Sequence, residues 1–173
     1  RKTLMKTPLD GAKLSSNYGM RKHPILGYNK IHQGVDFAAP KGTPEFAAGN
    51  GIIEFTGRNG GYGKYIRIRH NSSYKTAYGH LNTYNKGISK GVRVNQGQII
   101  GFVGSSGRSS GPHLHYEVIY QNTPINPMTM KLPSGKVLKT KELKKFKNSI
   151  KIIYSDFLFH LFEELFGIYF FDF

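Results

Sequence analysis

Two histidines in the segment Gly111–Glu117 have the spacing of a chemical site. His113 and His115 are separated by one residue in a stretch that reads as a β-strand. Successive side chains of a strand point to opposite faces, so the two imidazoles share one face and Leu114 and Tyr116 take the other. A pair of imidazoles on a rigid strand suits a metal site or a catalytic site, although such a pair also occurs on solvated strands.

A second segment supplies an imidazole and a carboxylate four residues apart. His32 and Asp36 would share a face of a helix, but Gly34 between them and Pro40 after them favour a turn that leads into a strand. In either case both groups can converge on one cation, and zinc accepts both ligand types. The spacing alone is equally typical of a hydrogen-bonded His–Asp pair on a loop.

His80 stands at the end of a third predicted strand, in Ala77–Leu81. A lone histidine there is typical of a polar strand terminus, and a catalytic role needs support from other residues. The chain has no cysteine, so any bound metal must be held by His, Asp or Glu. The pair at 113 and 115 supplies a candidate third ligand beside His32 and Asp36.

The charge balance favours acidic partners. The formal net charge is +15, and a lysine-rich run from 131 to 151 carries part of it. Such a surplus favours nucleic acid, an anionic membrane or an acidic cell-wall polymer. Aromatic residues are not interleaved with the basic ones at a stacking spacing, and no helix-turn-helix or zinc-finger pattern occurs, so we expect no nucleic-acid partner.

Short apolar runs divided by glycines dominate residues 1–127 and predict strands joined by tight turns. Lys64–Arg69 alternates cleanly, which predicts a buried face with Ile66 and Ile68 and a wet face with Tyr65 and the arginines. The fold class predicted is all-β, an antiparallel sandwich or a partly open barrel. Its strands are expected at 51–56, 64–69, 74–81, 92–94, 98–103 and 114–120.

The chain changes character after residue 127. Residues 128–149 read as a basic linker, and residues 150–173 form a hydrophobic, aromatic-rich tail with a helical pattern. The tail is expected to dock on the domain or to be foreign to its fold; weak membrane contact through residues 152–173 is the alternative. No stretch reaches the roughly 20 apolar residues that span a bilayer. The start at Arg1 suggests a fragment or mature form without its targeting segment.

The three segments together resemble those of the lysostaphin-type (LytM-type) zinc metallopeptidases. The resemblance covers roughly residues 8–127 and extends to five further motifs. These motifs are Asn17–Ile25, Asp36–Pro44, Gly60–Gly63, Gly97–Gly101 and Val103–Pro112.

The resemblance implies a role for each of five residues. His32, Asp36 and His115 match the zinc ligands, and His113 and His80 match two histidines that assist catalysis without binding metal. The family hydrolyses peptide bonds of peptidoglycan, which implies a periplasmic, cell-envelope or extracellular location. Zinc lowers the pKa of its bound water to about 7, and a neighbouring imidazole can accept the proton of that water.

Several assignments remain alternatives at the level of sequence. His113 is preferred as the base, and His80 is assigned to oxyanion stabilisation or to shared proton transfer. Glu117 reads equally as an acceptor that orients an imidazole or as a rim carboxylate, Tyr62 as a groove or packing residue, and Arg21 as an ion-pair partner. The Gly-rich loop 104–111 lacks the lysine of a phosphate-binding loop and reads as a wall of a peptide groove.

Two other classes of function compete with the hydrolase. One is a non-catalytic cell-wall or divisome module that activates a separate amidase, which the complete ligand set disfavours. The other is a membrane-attached structural protein, which rests on the tail alone. For the hydrolase, a direct diaminopimelate cross-link, a glycine bridge and a stem peptide are all candidate substrates, and the oligomeric state is open.

Overall fold

A computed structural model describes residues 7–11, 13–22 and 29–130, together with Asn148. The chain divides into two compact units, residues 1–133 and 134–173, and the strands and the site lie in the first. Most of the basic linker predicted at 128–149 and the whole tail 150–173 lie outside the described residues, so both stay predictions. Among the described residues, no helix has the length and apolar character needed to cross a membrane.

The described part of the chain is built almost wholly of short strands. A 3₁₀ turn, Gly60–Tyr62, interrupts them. The strands are β1 (Lys13–Ser16), β2 (Gly19–Lys22), β3 (Asn29–His32), β4 (Val35–Ala38), β5 (Pro44–Phe46), β6 (Gly51–Arg58), β7 (Lys64–Arg69), β8 (Tyr74–Leu81), β9 (Thr83–Tyr84), β10 (Arg93–Val94), β11 (Ile99–Phe102), β12 (His113–Tyr120) and β13 (Thr123–Ile125).

Three antiparallel sheets arrange these strands. The main sheet has the order β1-β4-β12-β8-β7-β6-β10, and β13 pairs with β12 beside it. The smaller sheets are β5-β11-β9 and the hairpin β2-β3. The prediction of an antiparallel all-β fold is therefore confirmed, and the main sheet stays open rather than closing into a barrel.

One hydrophobic core joins the main sheet to the three-stranded sheet. Ile66 and Ile68 of β7 are fully buried in it, as the alternation predicts, and Ile100 of β11 belongs to the same cluster. The predicted wet face of β7 needs a correction, since Tyr65 is only 3% exposed. Rings of Phe55 and Tyr62 lie 5.9 and 5.3 Å from its ring and cover that face.

The register of the main sheet fixes the positions that matter for chemistry. Strand β12 lies between β4 and β8, so His115 stands directly opposite Asp36 on one side and Gly79 on the other. Opposite residues of an antiparallel pair have their β-carbons only about 5 Å apart. The strand pairing alone therefore brings an imidazole and a carboxylate from distant parts of the sequence together.

Candidate metal centre

Three segments of backbone place a histidine, an aspartate and a second histidine at one point. His32 ends β3, a turn follows, and Asp36 lies in β4, as the turn-into-strand alternative predicts. The turn approaches β12 closely because it contains a glycine: a β-carbon on Gly34 would lie 2.4 Å from the carbonyl oxygen of Tyr116. The missing side chain lets His32 reach the neighbourhood of His115.

The donor atoms of these three residues form a small triangle. His32 Nε2 lies 3.1 Å from Asp36 Oδ1 and 3.0 Å from His115 Nδ1. His115 Nδ1 lies 2.9 Å from the same oxygen of Asp36. All three residues are buried, at 5–8% exposure, and they form a group able to hold a metal ion.

The outer nitrogen of each imidazole has an acceptor as its partner. His32 Nδ1–H donates to the carbonyl oxygen of Asn17 at 2.7 Å, and His115 Nε2–H donates to Glu117 Oε1 at 2.9 Å. In the neutral imidazoles, the nitrogens inside the triangle therefore carry lone pairs that face each other and the carboxylate of Asp36. Such an arrangement is suited to a cation at its centre.

The donor set fits zinc. Zinc binds imidazole nitrogen and carboxylate oxygen at about 2.0–2.2 Å, so two atoms that share one ion lie at most about 4.4 Å apart. All three sides of the triangle are within this limit. Three protein ligands are also the usual number in catalytic zinc sites, where a further position is left for water or substrate.

Charge in the triangle is balanced by neighbours. Burial on its own raises the pKa of Asp36, but hydrogen bonds and charge interactions with His115 and His32 outweigh burial and hold the pKa well below its usual range. Arg21 adds a contact of 3.1 Å from its Nη2 to Asp36 Oδ2. The ion-pair role predicted for Arg21 is thus confirmed, and Asp36 is a carboxylate at neutral pH.

Glu117 lies beneath the triangle rather than on a rim. It is 3% exposed, and its Oε1 accepts hydrogen bonds from His115 Nε2 and from the hydroxyl of Tyr62 at 2.8 Å. Burial lowers the pKa of His115, but the carboxylates of Asp36 and Glu117 reverse this effect and raise it to about 9. The alternative in which Glu117 orients an imidazole is the one that the structure supports.

Two further histidines stand beside the triangle. His113 Nδ1–H donates to the carbonyl oxygen of Gly111 at 2.8 Å, while its Nε2 lies 3.8 Å from Asp36 Oδ1. His80 Nδ1–H donates to the carbonyl oxygen of Ser106 at 2.8 Å. The two rings are 4.7 Å apart. In their neutral forms both imidazoles keep a lone pair on Nε2.

The backbone of His80 has a conformation that few residues adopt. Its φ is +62°, in the left-handed region, although it is not glycine. Burial lowers the pKa of its imidazole to about 4, with help from the nearby His113 and His115 and against the effect of the Ser106 carbonyl. His80 is therefore neutral at pH 7. Strained backbone of this kind clusters at functional sites.

Comparison with known proteins agrees with this geometry. Residues 30–127 match the Peptidase family M23. The chain belongs to peptidase family M23. It is 46% identical over 127 residues to the DD-carboxypeptidase/endopeptidase Mpg of Neisseria meningitidis, covering 73% of this chain and 29% of that protein. It is 42% identical over 147 residues to the peptidoglycan DD-endopeptidase ShyC of Vibrio cholerae, covering 84% and 34%. The chain thus spans about a third of the length of these two relatives.

Solved structures give the same result. A zinc-containing peptidase from Vibrio cholerae superimposes with a TM-score of 0.70 at 38% identity, covering 77% of this chain and 41% of that one. The catalytic domain of lysostaphin from Staphylococcus simulans superimposes with a TM-score of 0.63 at 35% identity, and the match covers 69% of this chain and 91% of that one. Both matches support the M23 fold for the described strands.

The M23 domain opens at the triangle into a cavity of about 440 Å³. One wall comes from β2 and β3, and includes Arg21 and Ile31. The other comes from the turn at Gly61 and Tyr62 and from the loop at 108–112. Tyr62 and part of the Gly-rich loop 104–111 thus line the cavity, as the groove alternative expects. The binding of a peptide there stays a prediction.

Sequence reasoning missed the groups that orient three of the four histidines at the site. His32, His80 and His113 are each held through a main-chain carbonyl, those of Asn17, Ser106 and Gly111. Every residue carries a carbonyl, so residue types offer no signal for these partners.

Proposed function

We propose that this chain is a zinc-dependent endopeptidase that hydrolyses peptide cross-links or bridges of peptidoglycan. His32, Asp36 and His115 would hold the metal. The observation that carries the proposal is the triangle of three buried donor atoms within 3.1 Å of one another. Relatives named DD-endopeptidases support the substrate class, as does the surplus of positive charge, which would attract an acidic polymer.

The residues around the metal supply proton transfer. When bound, zinc supplies Lewis-acid chemistry, which activates water at neutral pH and polarises a carbonyl. His113 takes the proton of the attacking water at Nε2, because Nδ1–H is engaged by the Gly111 carbonyl, and it then gives that proton to the leaving amine. Because His113 lies next but one to His115 along β12, its position follows from that of a ligand.

His80 enters the reaction as a neutral imidazole. Its proton is on Nδ1, where the Ser106 carbonyl accepts it, and burial lowers its pKa to about 4. A lone pair on Nε2 repels a developing oxyanion, so of the two roles considered for His80 we favour shared proton transfer with His113. The ring spacing of 4.7 Å to His113 supports this assignment.

The rival function, a non-catalytic activator of an amidase, would need neither a metal nor a base. The complete set of His32, Asp36, His115, His113 and His80 supports the enzyme instead. With peptidoglycan as its substrate, the chain would act in the periplasm, elsewhere in the cell envelope or outside the cell.

The test is hydrolysis of defined cross-linked muropeptides by the zinc-loaded chain, with fragments identified by mass spectrometry. His115→Ala should lose both bound zinc and turnover, whereas His113→Ala should keep its zinc and lose turnover. Arg93→Gln, on the exposed face of β10, is the control and should resemble the unsubstituted chain. A zinc-loaded chain that releases no fragment but stimulates a separate amidase would establish the rival function.

A further inference from the structure

An arginine in the wall of the cavity has no counter-charge among the residues that the structure describes. Arg108 is exposed and lines the cavity together with Arg21 and Asp36. Arg21 and Asp36 pair with each other at 3.1 Å, whereas Arg108 forms no ion pair within the described ranges. Of the charged residues in this lining, Arg108 is therefore the one whose charge is left for a ligand.

The main chain of Arg108 is fixed by close contact between two glycine-containing segments. Its N–H donates to the carbonyl oxygen of Gly61 at 2.8 Å. The preceding Gly107 has a φ of +76°, and a β-carbon there would lie 2.4 Å from the nitrogen of Gly63. A side chain at Gly107 would be both strained and in collision, so the sequence of the loop secures this contact.

The guanidinium of Arg108 lies over Gly61. A β-carbon on Gly61 would lie 2.6 Å from its Nε and Nη2 atoms, so the guanidinium occupies space that any other residue at 61 would fill. Gly61 precedes Tyr62, whose ring is 5.3 Å from that of His115. The charge thus lies over the residue before Tyr62, in the cavity that the metal triangle also lines.

A guanidinium in such a place is suited to a carboxylate, which it can bind through two parallel hydrogen bonds. The candidate substrates differ in this respect. In a direct diaminopimelate cross-link, the carbon attached to the scissile nitrogen also carries a free carboxylate. In a glycine bridge, the corresponding carbon carries two hydrogens and an amide carbonyl, and no free carboxylate.

We propose that Arg108 binds a free carboxylate next to the scissile bond and is thereby a specificity-determining residue for direct diaminopimelate cross-links over glycine bridges. This inference rests on the proposed peptidase function. It assigns the loop 104–111 a task in substrate selection rather than in metal binding.

The test uses two peptides that differ in one group. One is a D-alanyl–diaminopimelate cross-linked peptide with the carboxyl next to the scissile bond free, and the other has that carboxyl amidated. A hydrogen-bonded ion pair contributes about 1.5–3 kcal/mol, so we expect kcat/KM of the unsubstituted chain to favour the free carboxylate by about 10- to 100-fold. In Arg108→Gln this ratio should fall to near one, in Arg108→Lys it should be intermediate, and in the control Arg93→Gln it should be unchanged.

Two results would overturn the assignment of Arg108. The first is equal hydrolysis of both peptides by the unsubstituted chain, and the second is a loss in Arg108→Gln that is the same for both; in either case the proposed peptidase function stands. If neither peptide is hydrolysed, calorimetric binding of the same two peptides shows whether Arg108 still selects the free carboxylate. Preferential binding of the free carboxylate that depends on Arg108, without hydrolysis, would retain this inference and refute the peptidase function.

Discussion

A glutamate buried in the hydrophobic core is expected to lower the free energy of unfolding of this fold. Glu45 lies in β5 and is 0% exposed, and neither of its carboxylate oxygens has a hydrogen-bond partner in the described part of the chain. Burial raises its pKa well above the usual value, so the folded chain holds it as a neutral acid. We predict that replacement of Glu45 by methionine stabilises the fold.

The size of the effect follows from the missing hydrogen bonds. A buried polar group without a partner costs about 1–3 kcal/mol. Methionine is unbranched and close to glutamate in length, so it fills the same space without that cost. We expect a gain of about 2 kcal/mol in the free energy of unfolding near pH 4, which is a rise in Tm of about 4–8 °C for a chain of this size.

The gain should grow as the pH rises. Above the usual pKa of a glutamate, the unfolded chain gives up the proton of residue 45 while the folded chain keeps it. The unfolded state then binds fewer protons, so the free energy of unfolding falls with pH, by about 1.4 kcal/mol per unit until the raised pKa is reached. The contribution of the neutral acid is fully present below the usual pKa and is lost progressively as the pH rises from the usual pKa to the raised one.

The assay is urea unfolding followed by circular dichroism at pH 4, 5, 6 and 7, with a chelator present throughout so that metal binding adds no pH dependence. Glu45→Gln is the matched control, because it keeps the shape and an unpaired polar group but cannot titrate. The free energy of unfolding of the parent chain minus that of Glu45→Gln should fall as the pH rises. A flat difference curve, or a methionine variant less stable than the parent, would refute the reasoning.

Three further predictions concern the metal site. Chelation should abolish hydrolysis and added zinc should restore it; activity that survives chelation contradicts a zinc enzyme. Gly34→Ala should weaken zinc binding at least tenfold in a competition titration, because its β-carbon would collide with the Tyr116 carbonyl 2.4 Å away and displace His32; unchanged affinity would mean that the turn tolerates a side chain. Glu117→Gln should lower zinc affinity by about 10- to 100-fold through the loss of the charged acceptor of His115, and an equal affinity would assign Glu117 to packing alone.

Local sequence patterns were sufficient to predict the bounds of several strands. The hairpin of β7 and β8 has the bounds that alternation and turn residues predict, because both signals lie within a few residues. The burial of Tyr65 was not predictable in the same way. It depends on rings of Phe55 and Tyr62 from neighbouring segments. The alternation of residues within one strand does not show which other segments cover its second face.

The site was only partly predictable from residue types. The spacing of His32 and Asp36 was compatible with a helix face, a loop pair or a metal site, and resemblance to a known family supported the last. What decides among them physically is the pairing of β4 with β12, which sets Asp36 opposite His115 across 79 positions. The lack of a counter-charge at Arg108 and of a partner at Glu45, both within the described ranges, are likewise properties of the packed chain and have no local signal.

The metal triangle and the arginine that we propose to select the substrate lie on different kinds of element. Asp36 and His115 lie on central strands of the main sheet, where neighbours on both sides fix their positions. Arg108 lies on a loop whose main chain is bonded to the turn at Gly61. The carbonyls of Ser106 and Gly111 in the same loop hold His80 and His113, but no ligand of the metal triangle bonds to it in the described part of the chain. A substitution at Arg108 should therefore change which cross-link is cut while zinc affinity stays the same, whereas a substitution at Glu117 should change zinc affinity for every substrate alike. Loops bear such changes more readily than strands, so a domain built in this way can acquire a new substrate without rebuilding its metal site.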